Sequence, residues 1–176
     1  AYLLPDTNVK YAINIHPTLL PEGRGPTPLP YLIKRPGFSG VTIHKISNNF
    51  DSGDVILQAK ILQSANESLT TLMIKIHLES GRLLKVFLEN INKYYKSASP
   101  QVNHSYWSKI EMSERVLDWN APINEIKIQK RCFGHIGLIV KLDQTLWVAS
   151  HLEFINCQHT SQPGDVAFED HSLLNT

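Results

Sequence analysis

INIHPTLLPEGRG, Ile13–Gly25, gathers an Asn, a His, two Pro, an Arg and two Gly around a short apolar run. Tyr11–Ile15 reads as a brief strand. Side chains alternate along a strand, so Asn14 and His16, one residue apart, share a face. Ligand sites in α/β sheets form at the carboxyl ends of strands, which is where this pair would stand. Asn supplies an uncharged N–H donor, and His supplies a donor or a proton acceptor near neutral pH. Pro17, Pro21, Gly23, Gly25, Pro26, Pro28 and Pro30 then impose a loop, because Pro lacks a ladder donor and restricts the residue before it. A carboxylate able to orient the His would complete an acyl-transfer site. FDSGD, Phe50–Asp54, offers Asp51 and Asp54 in a turn. Composition alone leaves a plainer alternative open, in which the Asn satisfies turn backbone and the His beside Pro is structural.

Outward from this stretch the pattern alternates strand and helix. Tyr31–Arg35 reads as a helical turn. Gly40–Ile46 (GVTIHKI) and Asp54–Leu62 (DVILQAKIL) read as strands about the NNFDSG turn, a hairpin or a sharply bent crossing. Ser68–Lys96 is the longest periodic segment. Leu69, Leu72, Ile76, Leu83, Phe87, Ile91 and Tyr94 recur on one helical face, Ser68 is a candidate N-cap, and Gly81 is expected to weaken or kink the helix. A polar stretch with Pro100 follows. Ile123–Cys132 reads as a short helix, and Ile136–Leu142, Leu146–Ser150 and Leu152–Asn156 read as consecutive strands of a small β-rich, barrel-like module.

The blocks INIHPTLLPEGRGPTPL and GVTIHKISNNFDSGDVILQ, in this order and spacing, resemble the formyltransferase family that uses 10-formyltetrahydrofolate. The family pattern is Asn-x-His-Pro-Ser-Leu-Leu-Pro, then Arg-Gly, then Gly-Val-Thr, then Asp-x-Gly, and here Thr18 stands in place of its Ser. The likeness runs from about residue 1 to 96. SYWSKIEMSERVLDW, Ser105–Trp119, and the β-rich segment after it are more loosely similar to the start of the second domain in the transfer-RNA and amino-sugar branches. The resemblance implies an α/β fold, the C-terminal half of a Rossmann-like catalytic domain at residues 1–96. A linker at 97–105 and a partial barrel-like domain at 106–176 would follow. The family's opening β-α-β units are not in this sequence. The chain begins AYLLP without a Met and ends EDHSLLNT, so it reads either as part of a longer protein or as a truncated relative.

The resemblance also implies roles. The family triad falls on Asn14, His16 and Asp51. An amine would attack the formyl carbon, Asn14 and protonated His16 would donate to the oxygen, and Asp51 would hold His16 and take part in proton traffic. Leu3, Leu4 and Pro5 resemble the loop that grips the pterin through backbone groups. His44, Phe50 and Asp54 would lie on the folate side, with Asp54 the more structural of the two acids and His44 either a pocket or a supporting residue. Arg24 and Gly25 would stand near the acceptor entrance, Arg24 touching the acceptor or pinning the loop. A His16 paired with Asp51 is expected to keep its proton above the ordinary imidazole value of about 6.5.

The totals narrow the remaining choices. At 42% hydrophobic and 19% charged residues the composition is that of a soluble globular chain. No apolar run reaches the roughly 18 residues of a membrane span, and no signal peptide is visible. Cys132 and Cys157 stand far apart without metal-ligand spacing, which fits two reduced thiols in a cytoplasmic protein and no metal site. The net charge is +1, but Arg82–Arg131 carries nine Lys/Arg against five Asp/Glu, a local +4. Transfer-RNA binding would favour a strong basic track, whereas SASPQVNHSYWSK holds one Lys and no Arg. The acceptor is therefore read as a small-molecule amine, an amino-sugar nucleotide or an amino acid. Initiator transfer RNA is the alternative, and a non-catalytic binding module of the same fold is the reading from a different class.

Overall fold

The computed structural model describes residues 9–26, 28–134, 136–156, 158 and 160–165. The chain divides into two compact units, Ala1–Ile110 and Glu111–Thr176.

In the first unit, β1 (Ile13–His16), β2 (Gly40–Lys45) and β3 (Val55–Lys60) form a sheet in that order. Both pairings are antiparallel. The sequence-based reading of a β2–β3 hairpin corresponds to this arrangement. β2 lies in the middle, and Gly40 through His44 are all buried. Alternation divides its side chains. Val41 and Ile43, both fully buried, share one face, and Thr42 and His44 share the other. Helix α2 (Leu69–Glu89) packs on β2 and β3 and buries Leu69, Leu72, Ile76, Leu83 and Phe87. Each such side chain contributes roughly 1.5–3 kcal/mol when fully removed from water. The short helix α1 (Leu29–Lys34) adds buried Leu32 and Ile33.

The opposite face of β2 is polar, and the loop after β1 closes over it. The Thr42 hydroxyl donates to the Thr18 carbonyl at 2.6 Å and accepts from the Leu20 amide at 3.1 Å. Gln58 Nε2 donates to the Leu20 carbonyl at 2.6 Å and to Thr42 Oγ1 at 2.9 Å. Buried polar atoms need such partners, and here the partners hold the Pro/Gly-rich loop in place.

The single long helix expected over Ser68–Lys96 is two. α2 ends at Asn90, and α3 (Ile91–Lys96) begins there, with the Asn90 side chain accepting from the Lys93 amide at 3.3 Å. Asn90 leaves helical geometry at φ −151° and ψ 65° and caps both helices. Gly81 does not interrupt α2. It is exposed with open space where a Cβ would stand, so its cost is the ordinary propensity penalty of about 1 kcal/mol, which packing of the buried stripe outweighs.

Ser68 caps α2 as expected. Its Oγ accepts from the Thr71 amide at 3.2 Å, and Thr71 Oγ1 accepts from the Ser68 amide at 3.1 Å. Glu67, 2% exposed, sits just before the cap. Burial alone would raise its carboxyl, but hydrogen bonds from Lys75, Thr71 and the Ser64 amide outweigh burial and hold it at about 2. An unfolded-state value near 4.5 then means stability that is fully present above pH 4.5 and lost as pH falls toward 2. Glu67→Gln is expected to cost about 2 kcal/mol at pH 7 and to flatten the stability profile between pH 4.5 and 2, as read by urea unfolding at each pH.

The second unit contains α4 (Ile123–Phe133), β4 (Leu138–Leu142) and β5 (Thr145–Ala149). β4 and β5 form an antiparallel hairpin that turns through Asp143 at φ 51°. Leu117, Ile126, Cys132, Phe133, Leu138 and Val140 are buried. The third strand expected at Leu152–Asn156 is not formed. Its alternating apolar residues find no backbone partner among the described residues. Instead Phe154 lies beneath Lys127 and Lys130, at 5.6 and 5.3 Å from its ring centre. The described residues of this unit therefore show a helix and a hairpin rather than a closed barrel. No described helix is long and apolar enough to cross a membrane.

Candidate active site

β1 and β2 set the site through their register. Asn14 stands opposite His44, and His16 stands opposite Thr42, so these side chains share the polar face of the sheet. The register with β3 shifts between Ile43 and His44, at the end of β2 that leads to the FDSGD turn. Irregularities of this kind redirect side chains beside functional sites. The turn brings Asp51 back over the same face.

Asp51 occupies the left-handed region at φ 52°, which Asp tolerates better than most residues. The turn is tight, since a Cβ on Gly53 would lie 1.9 Å from the Lys45 carbonyl oxygen. Asp51 is 8% exposed. Its Oδ2 accepts from the Gly25 amide at 3.0 Å, and its Oδ1 accepts from Asn14 Nδ2 at 3.4 Å. His16 Nδ1 is 3.6 Å from Oδ1, and His44 Nε2 is 3.7 Å from it. One carboxylate thus joins both strands to the loop.

The loop is pinned from behind. The Arg24 amide donates to the Ser105 carbonyl at 3.1 Å, and the Trp107 amide donates to the Arg24 carbonyl at 2.7 Å. Gly25 has φ +127°, and a Cβ there would meet the Trp107 carbonyl oxygen at 2.2 Å. A backbone atom cannot yield, so Gly25→Ala is expected to destabilise the unit by at least about 2 kcal/mol. It should also displace the amide that Asp51 accepts from. A thermal-unfolding shift below one degree would contradict that expectation. Trp107 is buried and packs against Tyr31, Phe38 and the Arg35 guanidinium.

The two imidazoles are oriented by backbone carbonyls. His16 is 4% exposed, and its Nε2 donates to the Gly23 carbonyl at 2.8 Å. A carbonyl can only accept, so Nε2 carries the proton and Nδ1 is the nitrogen left for the pocket. Burial lowers the His16 pKa below the ordinary imidazole value, and the pull of Asp51 and the Gly23 carbonyl in the other direction does not offset it. The expectation that Asp51 would raise this pKa is therefore corrected, because desolvation of the cation exceeds the attraction across 3.6 Å. At neutral pH His16 is a neutral ring with a bare Nδ1.

A pocket of about 380 Å³ opens on this face, lined by Asn14, His16, Gly25, Pro26, Phe50, Asp51 and Tyr106. Of the residues singled out from sequence, Asn14, His16, Asp51, Phe50 and Gly25 line it together. His44 lies behind Asn14, 2% exposed. Arg24 is pinned within the loop. Its Nε and Nη2 donate to Gln101 Oε1 at 3.0 and 2.9 Å, and Gln101 Nε2 donates to the Asp51 and Gly53 carbonyls. Asp54 pairs with Lys45 Nζ at 3.0 Å and does not line the pocket. Leu3, Leu4 and Pro5 lie outside the described residues. Tyr106 and Gln101 carried no sequence signal, since a polar, aperiodic stretch gives no face to read. Among the described residues no cluster of His, Cys, Asp and Glu could hold a metal ion.

Residues 3–87 match the family described as Formyl transferase. The methionyl-tRNA formyltransferase of Coprothermobacter proteolyticus is 32% identical over 163 residues, 92% of this chain and 54% of that protein. Residues 3–87 therefore carry formyltransferase-family sequence. The methionyl-tRNA formyltransferase of Ehrlichia ruminantium (strain Welgevonden) is 36% identical over 114 residues, 64% of this chain and 36% of the relative. The chain thus spans about half, or less, of the length of these curated relatives. Among solved structures, a 4-N formyltransferase from Francisella tularensis superposes with a TM-score of 0.68 at 23% identity, over 81% of this chain and 63% of that one. The N-formyltransferase of Helicobacter canadensis, in complex with folinic acid and dTDP-3-aminofucose, superposes with a TM-score of 0.61 at 25% identity, over 77% and 52%. The fold is the α/β fold of formyltransferases, of Rossmann-like class.

Proposed function

We propose that the complete protein transfers a formyl group from 10-formyltetrahydrofolate to the primary amine of a small-molecule acceptor, an amino-sugar nucleotide or an amino acid. One observation carries this reading. Asn14 Nδ2 and His16 Nδ1 stand 3.4 and 3.6 Å from Asp51 Oδ1 at the wall of one pocket. The chemistry of the lining suits the donor. It offers an amide donor, a neutral imidazole and a carboxylate, with Phe50 and Tyr106 at its exposed side for flat rings to lie against. The folate, when bound, supplies the formyl group to be passed on.

The chain's own residues then have distinct tasks. Asn14 Nδ2 holds one proton toward Asp51 at a long 3.4 Å, a bond that a carbonyl oxygen gathering negative charge can displace. The bare Nδ1 of His16 accepts the proton of an attacking amine, and Asp51, 3.6 Å away, stabilises the imidazolium that results. His16 therefore acts as a proton acceptor first and a donor only afterwards. The proton can then be returned to the departing nitrogen. Arg24 and Gly25 shape the acceptor side through the loop, Gly25 by its amide on Asp51 and Arg24 through Gln101.

With this reading go a catalytic segment at residues 1–96, a linker at 97–105, a second module at 106–176 and a cytoplasmic setting. A second acceptor, initiator transfer RNA, is favoured by the names of the relatives. The single Lys and absent Arg in residues 97–109 favour the small amine. A steep fall of acceptor affinity with salt would select the transfer RNA. Calorimetric titration of the complete protein with a stable analogue of the formyl donor tests the folate assignment. Saturable one-to-one binding is expected. No binding would leave a non-catalytic module of the same fold.

A further inference from the structure

The side chain behind the site is His44, and its surroundings fix more than its own position. Nδ1 lies 2.8 Å from the Lys45 carbonyl oxygen, which can only accept. Nδ1 therefore carries a proton. Burial lowers the His44 pKa, and the Lys45 carbonyl and Asp51 do not restore it. The ring is neutral, and Nε2 presents a lone pair. Asn14 Nδ2 stands 3.2 Å from that lone pair. The Asn14 oxygen in the same place would set lone pair against lone pair, so only one orientation of the amide is compatible with this tautomer. That orientation leaves the second Nδ2 proton for Asp51 Oδ1 and the pocket. The cross-strand register Asn14↔His44 keeps the two side chains opposed.

Resting on the functional reading above, we propose that His44 is a positioning residue. Its Nδ1–H tautomer, set by the Lys45 carbonyl, holds the Asn14 amide with its nitrogen toward the pocket. The charged and titratable groups around His44 are Asp51, 3.7 Å from Nε2, His16, whose ring centre is 6.3 Å away, and the guanidinium of Arg24. Protonation of His44 would place a hydrogen on Nε2, turn that atom toward Asp51 and release the amide.

Two measurements on the complete protein test this. Long-range ¹H–¹⁵N NMR of the imidazoles reads the tautomer directly and needs no activity. A protonated Nδ1 and a bare Nε2 on His44 are expected, and an Nε2–H tautomer overturns the proposal. Kinetics of His44→Leu and His44→Gln give the second. Leu removes the acceptor, whereas the Gln oxygen can replace Nε2 as an acceptor for Asn14. The expected result is a kcat about 10²-fold lower for the Leu variant at little-changed donor KM, with the Gln variant recovering to within about tenfold of wild type. Equal loss in both variants, or full activity in the Leu variant, overturns the proposal. If the wild type transfers no formyl group, the functional reading fails separately. The tautomer and the Asn14 carboxamide signals then decide, the latter expected to shift in the Leu variant and not in the Gln variant.

Discussion

Asp51→Asn in the complete protein is expected to lower kcat/KM by about 10³–10⁴-fold while leaving the fold in place, a loss of the size seen when the carboxylate that stabilises a catalytic imidazolium is neutralised. Asp51 is where three parts of the site converge. It accepts from Asn14 on β1 and from the Gly25 amide in the loop, and it faces His16 Nδ1. Asn is nearly isosteric and tolerates the φ of 52° at this position, so the backbone turn survives. The charge does not. Without it the imidazolium of His16 has no counter-charge within the pocket, and an amide nitrogen can take the place of an acceptor. Asp51 raises the His16 pKa against the larger effect of burial, so its removal also moves His16 further below its ordinary value. Residual activity should therefore keep its acid limb, shifted to lower pH. Turnover within tenfold of wild type would remove Asp51 from the chemistry, and circular dichroism of the variant separates that outcome from unfolding.

Asn14→Ala has the second-largest expected effect, a kcat about 10²–10³-fold lower, the range for loss of one donor to a developing oxyanion. Asn14 is only partly buried and contributes no apolar packing that β1 needs, so stability should change by less than about 1 kcal/mol. The loss should fall on kcat, because the amide's partners in the resting site are His44 and Asp51 and its bond to a ligand oxygen strengthens only as charge builds. A variant that binds a folate analogue about tenfold more weakly at unchanged kcat would assign Asn14 to ground-state binding instead.

Local chemistry was legible in the sequence wherever it rested on period or on a compact motif. Asn14 and His16 could be put on one face by strand alternation alone, and the FDSGD turn could be recognised from its turn residues. The buried stripe of α2 followed from helical spacing. What sequence could not supply was balance between opposed forces. Asp51 beside His16 suggested a raised pKa, but the sign depends on how far the ring is buried, which only the closed loop reveals. Gly81 looked like a weak point and Asn90 did not. The helix nevertheless passes Gly81 and breaks at Asn90, because packing outweighs propensity along the stripe and a capping side chain is available at its end. Gln101 and Tyr106 lie in an aperiodic stretch and reach the site through the pairing of Ser99 with Val55 and of Ser105–Trp107 with the loop. The motif resemblance implied roles that residue types left open, and the carbonyl partners of His16 and His44 fix which nitrogen of each ring carries the proton.

The most direct test is release of tetrahydrofolate when the complete protein and 10-formyltetrahydrofolate are mixed with primary amines in turn: amino-sugar nucleotides, amino acids and aminoacylated initiator transfer RNA. The account predicts stoichiometric release with formylation of one small-molecule class by the wild type, and its loss in Asp51→Asn. Absence of formylated product from every amine, or equal turnover by wild type and variant, would contradict it.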